Sequence, residues 1–356
     1  MAEGQRVVVA GAGFAGLNVA KGLQKQAQVT VVAPTDKFVF LPLIHEVLGE
    51  KSLPRTVTKD LSEILPDAEL IYGRAAKVEG NDLVTTDGQR IPFDTLVLAI
   101  GAEPNDFGVP GVAQHALSFY SVGDALASNA MLKHVASELE GQRPLRVRVV
   151  GASFTGVEVA GEAADLLDKL DIPREITLHD ALPSIFPHQS EDFREAVHEG
   201  LKRLGLEVRT EQLVQEVRED GLTVKHGETT EELPADVVFW CAGVRPRTIE
   251  GVDAEVRPSL RSTSREDVYV LGDAASFPRD QGVPKLAQTA EDQASIVVHN
   301  VLNPDRQQPY APKVKGLIVS IGDRYAVAEL ANGPVFKGRV PWHVKRNLYK
   351  AKIRMT

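Results

Sequence analysis

The chain has 356 residues, enough for roughly two or three domains of about 150 residues, and at 43% hydrophobic it can bury more than one core. Its 40 Lys and Arg against 49 Asp and Glu leave a net charge of −9, which argues against a nucleic-acid partner. A single cysteine, Cys241, excludes an internal disulfide, a CxxC redox pair and a four-cysteine metal cluster, and nine scattered histidines show no metal-ligand spacing.

Taken in chain order, residues 7–17 form an apolar stretch behind Arg6 that could pass for part of a signal peptide, but Gly11, Gly13 and Gly16 space it as a nucleotide turn. No run of about 18 apolar residues follows, so no transmembrane helix is expected. The stretch predicts a strand, a glycine turn, a helix and a second strand over 29–33. Turn residues at Gly80-Asn81-Asp82 and Asp87-Gly88 predict an antiparallel meander over 75–91. The apolar run 93–101, closing on Gly101, reads as a parallel strand covered on both faces.

The plan then repeats. Residues 147–156 carry Gly151, Ser153 and Gly156, a strand follows over 176–180, a meander over 214–233, and an apolar strand over 235–243 ending at Gly243. A strand closing on Gly272 and Asp273, then a helical stretch over 286–302, read as the first domain resuming. The expected architecture is α/β, with two Rossmann-like doubly wound domains, the second inserted in the first. Residues 1–117 and 251–310 would form the first domain, 118–250 the second, and 311–356 a short C-terminal region.

In a GxGxxG turn the first glycine permits the bend, the second admits a diphosphate, and the third lets helix and strand pack closely. The diphosphate then rests on the N–H groups that open the helix. Gly11, Gly13 and Gly16 meet all three needs, with Phe14 and Ala15 opening the helix; the second copy puts Ser153 at the close-approach position. An acid closing the second strand accepts from the adenosine ribose and repels a 2′-phosphate. Asp180 fills this place in the second copy and predicts NADH over NADPH. The first copy has Ala33 there, so either Asp36 reaches back or backbone and water hold the ribose.

With these residues the chain resembles the two-dinucleotide-binding-domain flavoproteins, and most of all the type II NADH:quinone oxidoreductases. The resemblance runs over nearly the whole chain, through residues 40–46 (FLPLIHE), 99–111 (AIGAEPNDFGVPG), 155–162 (TGVEVAGE), 240–245 (WCAGVR), 271–273 (LGD) and 287–290 (AQTA). It implies non-covalent FAD on the first glycine set, with Asp273 toward the ribityl phosphate. NADH would lie on the second set, with Glu158 near the nicotinamide and flavin rings. Gln288 and Ala290 would stand where the flavin approaches a quinone. Glu158 and Gln288 are thus the catalytic candidates. Asp292 stands where the family often has glutamine. Trp240, Cys241 and His45 read as packing residues.

The implied reaction is hydride transfer from NADH to flavin, then electron delivery to a quinone. A single cysteine excludes relatives that reduce disulfides or oxidise sulfide through paired cysteines. The rival readings are a reductase of a small ferredoxin- or rubredoxin-type carrier, and a flavin-free dinucleotide sensor. From Lys313 onward ten basic residues face Asp323 and Glu329, a local charge of +8 that would suit an anionic lipid surface or an acidic protein. On a helical wheel Trp342, Tyr349 and Ile353 share one stripe while Val344, Leu348 and Met355 lie opposite, so the tail is not read as a clean interfacial helix. The expected setting is the cytoplasm, with peripheral contact at the inner face of a membrane as the reading of the basic tail and a second copy of the chain as a further candidate partner.

Overall fold

The computed structural model describes residues 4–278, 282–331 and 333–356. The chain divides into two units. The first comprises Met1–Val39, Thr58–Glu103 and Val244–Val314; the second comprises Phe40–Val57, Pro104–Gly243 and Lys315–Thr356.

In the first unit the apolar runs form a parallel sheet in the order Val268–Val270, Thr95–Leu98, Arg6–Ala10, Gln28–Ala33, Glu69–Tyr72. Val7, Val8 and Val9 are all buried although successive side chains point to opposite faces, so both faces of this strand are covered. The strand after Arg6–Ala10 lies on one side of it, and the much later Thr95–Leu98 lies on the other. That is a topological switch point, past which a ligand crevice opens. The expected meander is present as Ala75–Glu79, Asp82–Thr85 and Arg90–Pro92. Val268–Val270 joins the edge of this same sheet beside Thr95–Leu98.

The second unit repeats the arrangement. Its parallel sheet runs Leu117–Ser118, Val237–Trp240, Leu145–Val150, Arg174–His179, Glu207–Arg209, with the switch point between Leu145–Val150 and Val237–Trp240. A meander of Leu213–Arg218, Gly221–His226 and Thr229–Pro234 accompanies it. The two-fold doubly wound α/β reading of the sequence is therefore met.

The unit boundaries fall at 103/104 and 243/244 rather than at 117/118 and 250/251, and residues 40–57 belong to the second unit. Specific bonds account for this. Asn105 N donates to Gly243 O at 3.0 Å, and Asn129 Nδ2 on helix Val122–Leu139 donates to Leu48 O at 2.8 Å. The C-terminal residues do not stand apart either. Strands Gly316–Ser320, Ala326–Leu330 and Val335–Gly338 form an antiparallel sheet, followed by helix Arg339–Met355. Tyr325 OH donates to Ala196 O at 2.9 Å, and a Cβ on Gly161 would come within 2.4 Å of Gly322 N. These contacts tie the C-terminal residues to the rest of the second unit.

Candidate active site

The first glycine turn distinguishes what the protein needs from what a ligand needs. Gly11 has φ +100°, and a Cβ there would lie 2.2 Å from Ala99 O. A Cβ on Gly16 would lie 1.9 Å from Gly11 O. Neither position can carry a side chain. A Cβ on Gly13 would meet nothing within 4 Å, so no protein atom requires this glycine. Its bareness leaves open the space in front of helix Phe14–Leu23, whose N-cap Gly13 supplies no side-chain cap. Uncapped N–H groups facing an open approach suit a diphosphate.

Around this turn the first unit gathers several of the expected residues. Ala15 is buried, and the Cβ position of Gly272 (φ +67°) is 3.0 Å from Ala15 Cβ. Gly272 N donates to Oε1 of the buried Gln293 at 2.6 Å, which fixes Asp273 beside the glycine turn. Lys285 Nζ donates to the Asp273 carbonyl at 3.2 Å. Helix Ala287–Leu302 packs on helix Phe14–Leu23, placing Ala290 near Gly272 and the half-buried Gln288 in its first turn. Phe14 stacks edge-on against Phe38 at 5.3 Å. Gly101 has φ +73° and accepts from Arg247 N at 3.0 Å. Ala33 is buried at the end of its strand, while Asp36 is exposed beyond Pro34 with its carboxylate 3.7 Å from Lys37 Nζ.

The second cradle is drawn to the same plan. Gly151 has φ +97° and a Cβ there would lie 2.4 Å from Cys241 O; a Cβ on Gly156 would lie 1.8 Å from Gly151 O. Ser153 is the exposed N-cap of helix Phe154–Lys169, and its hydroxyl makes no capping bond. Asp180 is already oriented: Ala152 N donates to its Oδ2 at 2.8 Å and Leu182 N to its Oδ1 at 2.9 Å. Each carboxylate oxygen keeps a further lone pair for a ribose hydroxyl. Gly243 follows the strand that ends at Trp240, across the switch point from Asp180. Burial pushes the Cys241 thiol up to about 12, so it is a core residue without thiolate chemistry.

Glu158 lies within the second unit in a cluster whose other members sequence reasoning left unassigned. Its carboxylate is paired with Lys345 Nζ, lies 3.4 Å from His45 Nδ1, and accepts from Ser320 Oγ at 3.3 Å. Ser320 Oγ in turn lies 3.1 Å from His45 Nε2 and accepts from Lys345 Nζ at 2.8 Å. Lys345 is only 4% exposed and His45 only 3%. Burial pulls His45 down to about 4, Glu158 opposes that shift, and the imidazole is neutral at pH 7. Burial would raise Glu158, but His45 and Lys345 outweigh it and hold the carboxyl below its ordinary value. The neutral imidazole exerts none of its share of that pull at pH 7, which leaves Lys345 as the paired cation that opposes burial there.

One turn further along the same helix, Glu162 lies 2.9 Å from Lys51 Nζ, which also bonds Asp165 at 2.6 Å. Two carboxylates share one ammonium in a dry place. Burial, opposed by Lys51, pushes Glu162 up to about 8. The sequence did carry a signal. Glu158 and Glu162, four apart on a helix that buries Val157, Val159, Ala160 and Ala163, require cationic partners. Which cations supply them, from residues 45–51 and 345, is not readable locally.

A family model described as pyridine nucleotide-disulphide oxidoreductase matches residues 5–294. The chain is 29% identical to a type II NADH:quinone oxidoreductase of Haemophilus influenzae, over 92% of this chain and 87% of that protein. It is 28% identical to the type II NADH:quinone oxidoreductase Ndh of Mycobacterium tuberculosis, over 98% and 84%. The structure of NDH2 from Plasmodium falciparum in complex with NADH shares the fold, with TM-score 0.88 at 17% identity over 97% of this chain and 94% of that one. A sulfide:quinone oxidoreductase from Aquifex aeolicus does so with TM-score 0.84 at 18% identity over 98% and 91%. By the extent of the family match, the chain belongs to the pyridine nucleotide-disulphide oxidoreductases.

Proposed function

We propose that the chain is an FAD-dependent NADH:quinone oxidoreductase. The observation that carries this reading is the same dinucleotide cradle built twice, with Gly13 kept bare for no internal reason and Asp180 oriented beside the second turn. In this reading Gly11, Gly13, Phe14, Ala15 and Gly16 take the FAD diphosphate. Gly101, Gly272, Asp273, Gln288 and Ala290 line the remainder, and Asp36 or backbone holds the ribose that Ala33 cannot. Gly151, Ser153, Gly156, Asp180, Gly243 and Glu158 serve NADH. Bound FAD supplies the capacity to accept a hydride and pass on its electrons. Each unit orients its own dinucleotide, and Lys345 is the cation paired with the buried Glu158.

The name of the family includes disulphide chemistry, which the lone buried Cys241 does not support. Relatives that resemble the chain over nearly their full length are named for quinone, and this supports quinone as acceptor. The tail adds a route to a lipid-borne acceptor. Trp342 is buried, while Val340, Val344, Leu348 and Met355 are 54–74% exposed along one stripe of helix Arg339–Met355. The two apolar stripes that make the wheel look mixed therefore have separate uses. One packs inward, and the other, with Lys350, Lys352 and Arg354 on the same helix, suits the surface of an anionic bilayer. Among the described residues no helix is long and apolar enough to cross a membrane.

Steady-state NADH oxidation tests the acceptor: turnover with a short-tailed soluble quinone supports the reading, and turnover only with an acidic carrier protein refutes it. Val344→Glu with Leu348→Glu should abolish association with anionic liposomes while sparing soluble-quinone turnover. Truncating the tail would not serve, because it removes Ser320 and Lys345 from Glu158.

A further inference from the structure

Phe107 combines two features that folding alone disfavours: it is a bulky residue in the left-handed region, at φ +52°, and it is 61% exposed. The segment holding it is nonetheless firmly built. Trp240 Nε1 donates to Asn105 O at 2.7 Å, Phe107 N donates to Asn105 Oδ1 at 3.0 Å, and Gly108 N donates to Asp106 Oδ1 at 3.0 Å. Behind it, Val217 N donates to Pro110 O at 3.0 Å, and Gly111 leaves no room for a side chain, since a Cβ would lie 1.7 Å from Val217 O.

The ring is held over Gly243, whose Cβ position would be 3.6 Å from Phe107 Cζ and 3.8 Å from Cε2. The sheet order says what passes there. Strand Leu145–Val150 leads into the Gly151 turn; Arg174–His179, leading to Asp180, lies on one side, and Val237–Trp240, leading to Gly243, lies on the other. A dinucleotide with its diphosphate at the turn and its adenosine on Asp180 must extend its other half toward Gly243. That half reaches Phe107, and all these residues belong to the second unit.

We propose that Phe107 is a positioning residue for NADH, its ring packing on the nicotinamide riboside at Gly243. This rests on the reading of the second cradle as an NADH site. Contact with the dinucleotide gives the strained backbone and exposed ring a use.

The test compares NADH with ADP-ribose, which keeps the adenosine and diphosphate but lacks nicotinamide, by calorimetric titration of the anaerobic flavin-loaded protein whose flavin has been reduced beforehand, so that NADH binds without reacting. Phe107→Ala should weaken NADH roughly ten-fold, as loss of an aromatic face implies, and leave ADP-ribose within two-fold. Phe107→Tyr should restore NADH. Thermal unfolding without ligand should be unchanged in Phe107→Ala and raised in Phe107→Gly, which relieves the left-handed strain. Equal loss for both ligands, or no loss for either, would overturn the proposal while leaving the cradle intact. Failure of the wild-type protein to bind either ligand would instead remove the cradle reading, and this inference with it.

Discussion

Lys345 offers the most quantitative test of the buried charge cluster. It is 4% exposed, and its partner Glu158 has a side chain only 13% exposed. Lys345→Met preserves length and removes the cation, leaving Glu158 with Ser320 N at 3.4 Å, Ser320 Oγ at 3.3 Å and His45 Nδ1 at 3.4 Å as its remaining neighbours. Breaking a buried pair from one side costs about 3–5 kcal/mol, because the surviving charge is left uncompensated. Glu158 can escape part of that cost by taking a proton, so the loss should be larger at pH 8 than at pH 6. Adding Glu158→Gln removes the stranded charge, and the double variant should recover about 2–3 kcal/mol relative to the sum of the single losses. Urea unfolding followed by tryptophan fluorescence reads this directly, since the two tryptophans, Trp240 and Trp342, both lie buried in the second unit. A loss below about 1 kcal/mol for Lys345→Met, or strict additivity of the two changes, would mean that Lys345 does not compensate the Glu158 charge.

Three further outcomes follow from other sites. Glu162 is raised to about 8, so its stabilisation is complete below the ordinary carboxyl range and fades as pH climbs through 8, whereas His45 and His179, lowered to about 4, stop contributing any slope above about 6.5. Between pH 6.5 and 8 stability should therefore fall by up to about 1 kcal/mol per unit, and Glu162→Gln should flatten that slope in urea titrations. Gly13→Ala should leave folding unchanged but weaken flavin retention through gel filtration, while Gly16→Ala should impair folding itself, since its Cβ would lie 1.9 Å from Gly11 O. Asp180→Ala should cut NADH efficiency roughly ten- to hundred-fold and narrow the gap to NADPH, measured as kcat/KM for each, through loss of a charged hydrogen bond.

The doubled plan was legible because its signals are local. Glycine spacing, apolar runs and turn residues each act within a few positions, and both sheets follow from them. The Glu158 cluster was not, because Lys345 lies 187 residues beyond its partner and Ser320 lies 162 beyond. Lys345 counted in the sequence only as one of ten tail cations, yet it faces inward at 4% exposure while Lys350 and Arg354 face outward. His45 reads as a packing residue for the same reason: its packing partner is a carboxylate from another part of the chain. The tail stripes were visible on a wheel, but only burial of Trp342 tells which stripe is spoken for.

The most direct test of the central claim is an anaerobic single turnover. Purified protein loaded with FAD is mixed with one equivalent of NADH, and then with a soluble quinone, while flavin absorbance near ~450 nm is followed. An NADH:quinone oxidoreductase should show rapid bleaching by NADH, much slower bleaching by NADPH, and full recovery of absorbance on adding quinone. Protein that retains no flavin, or flavin that NADH leaves oxidised, would contradict that claim.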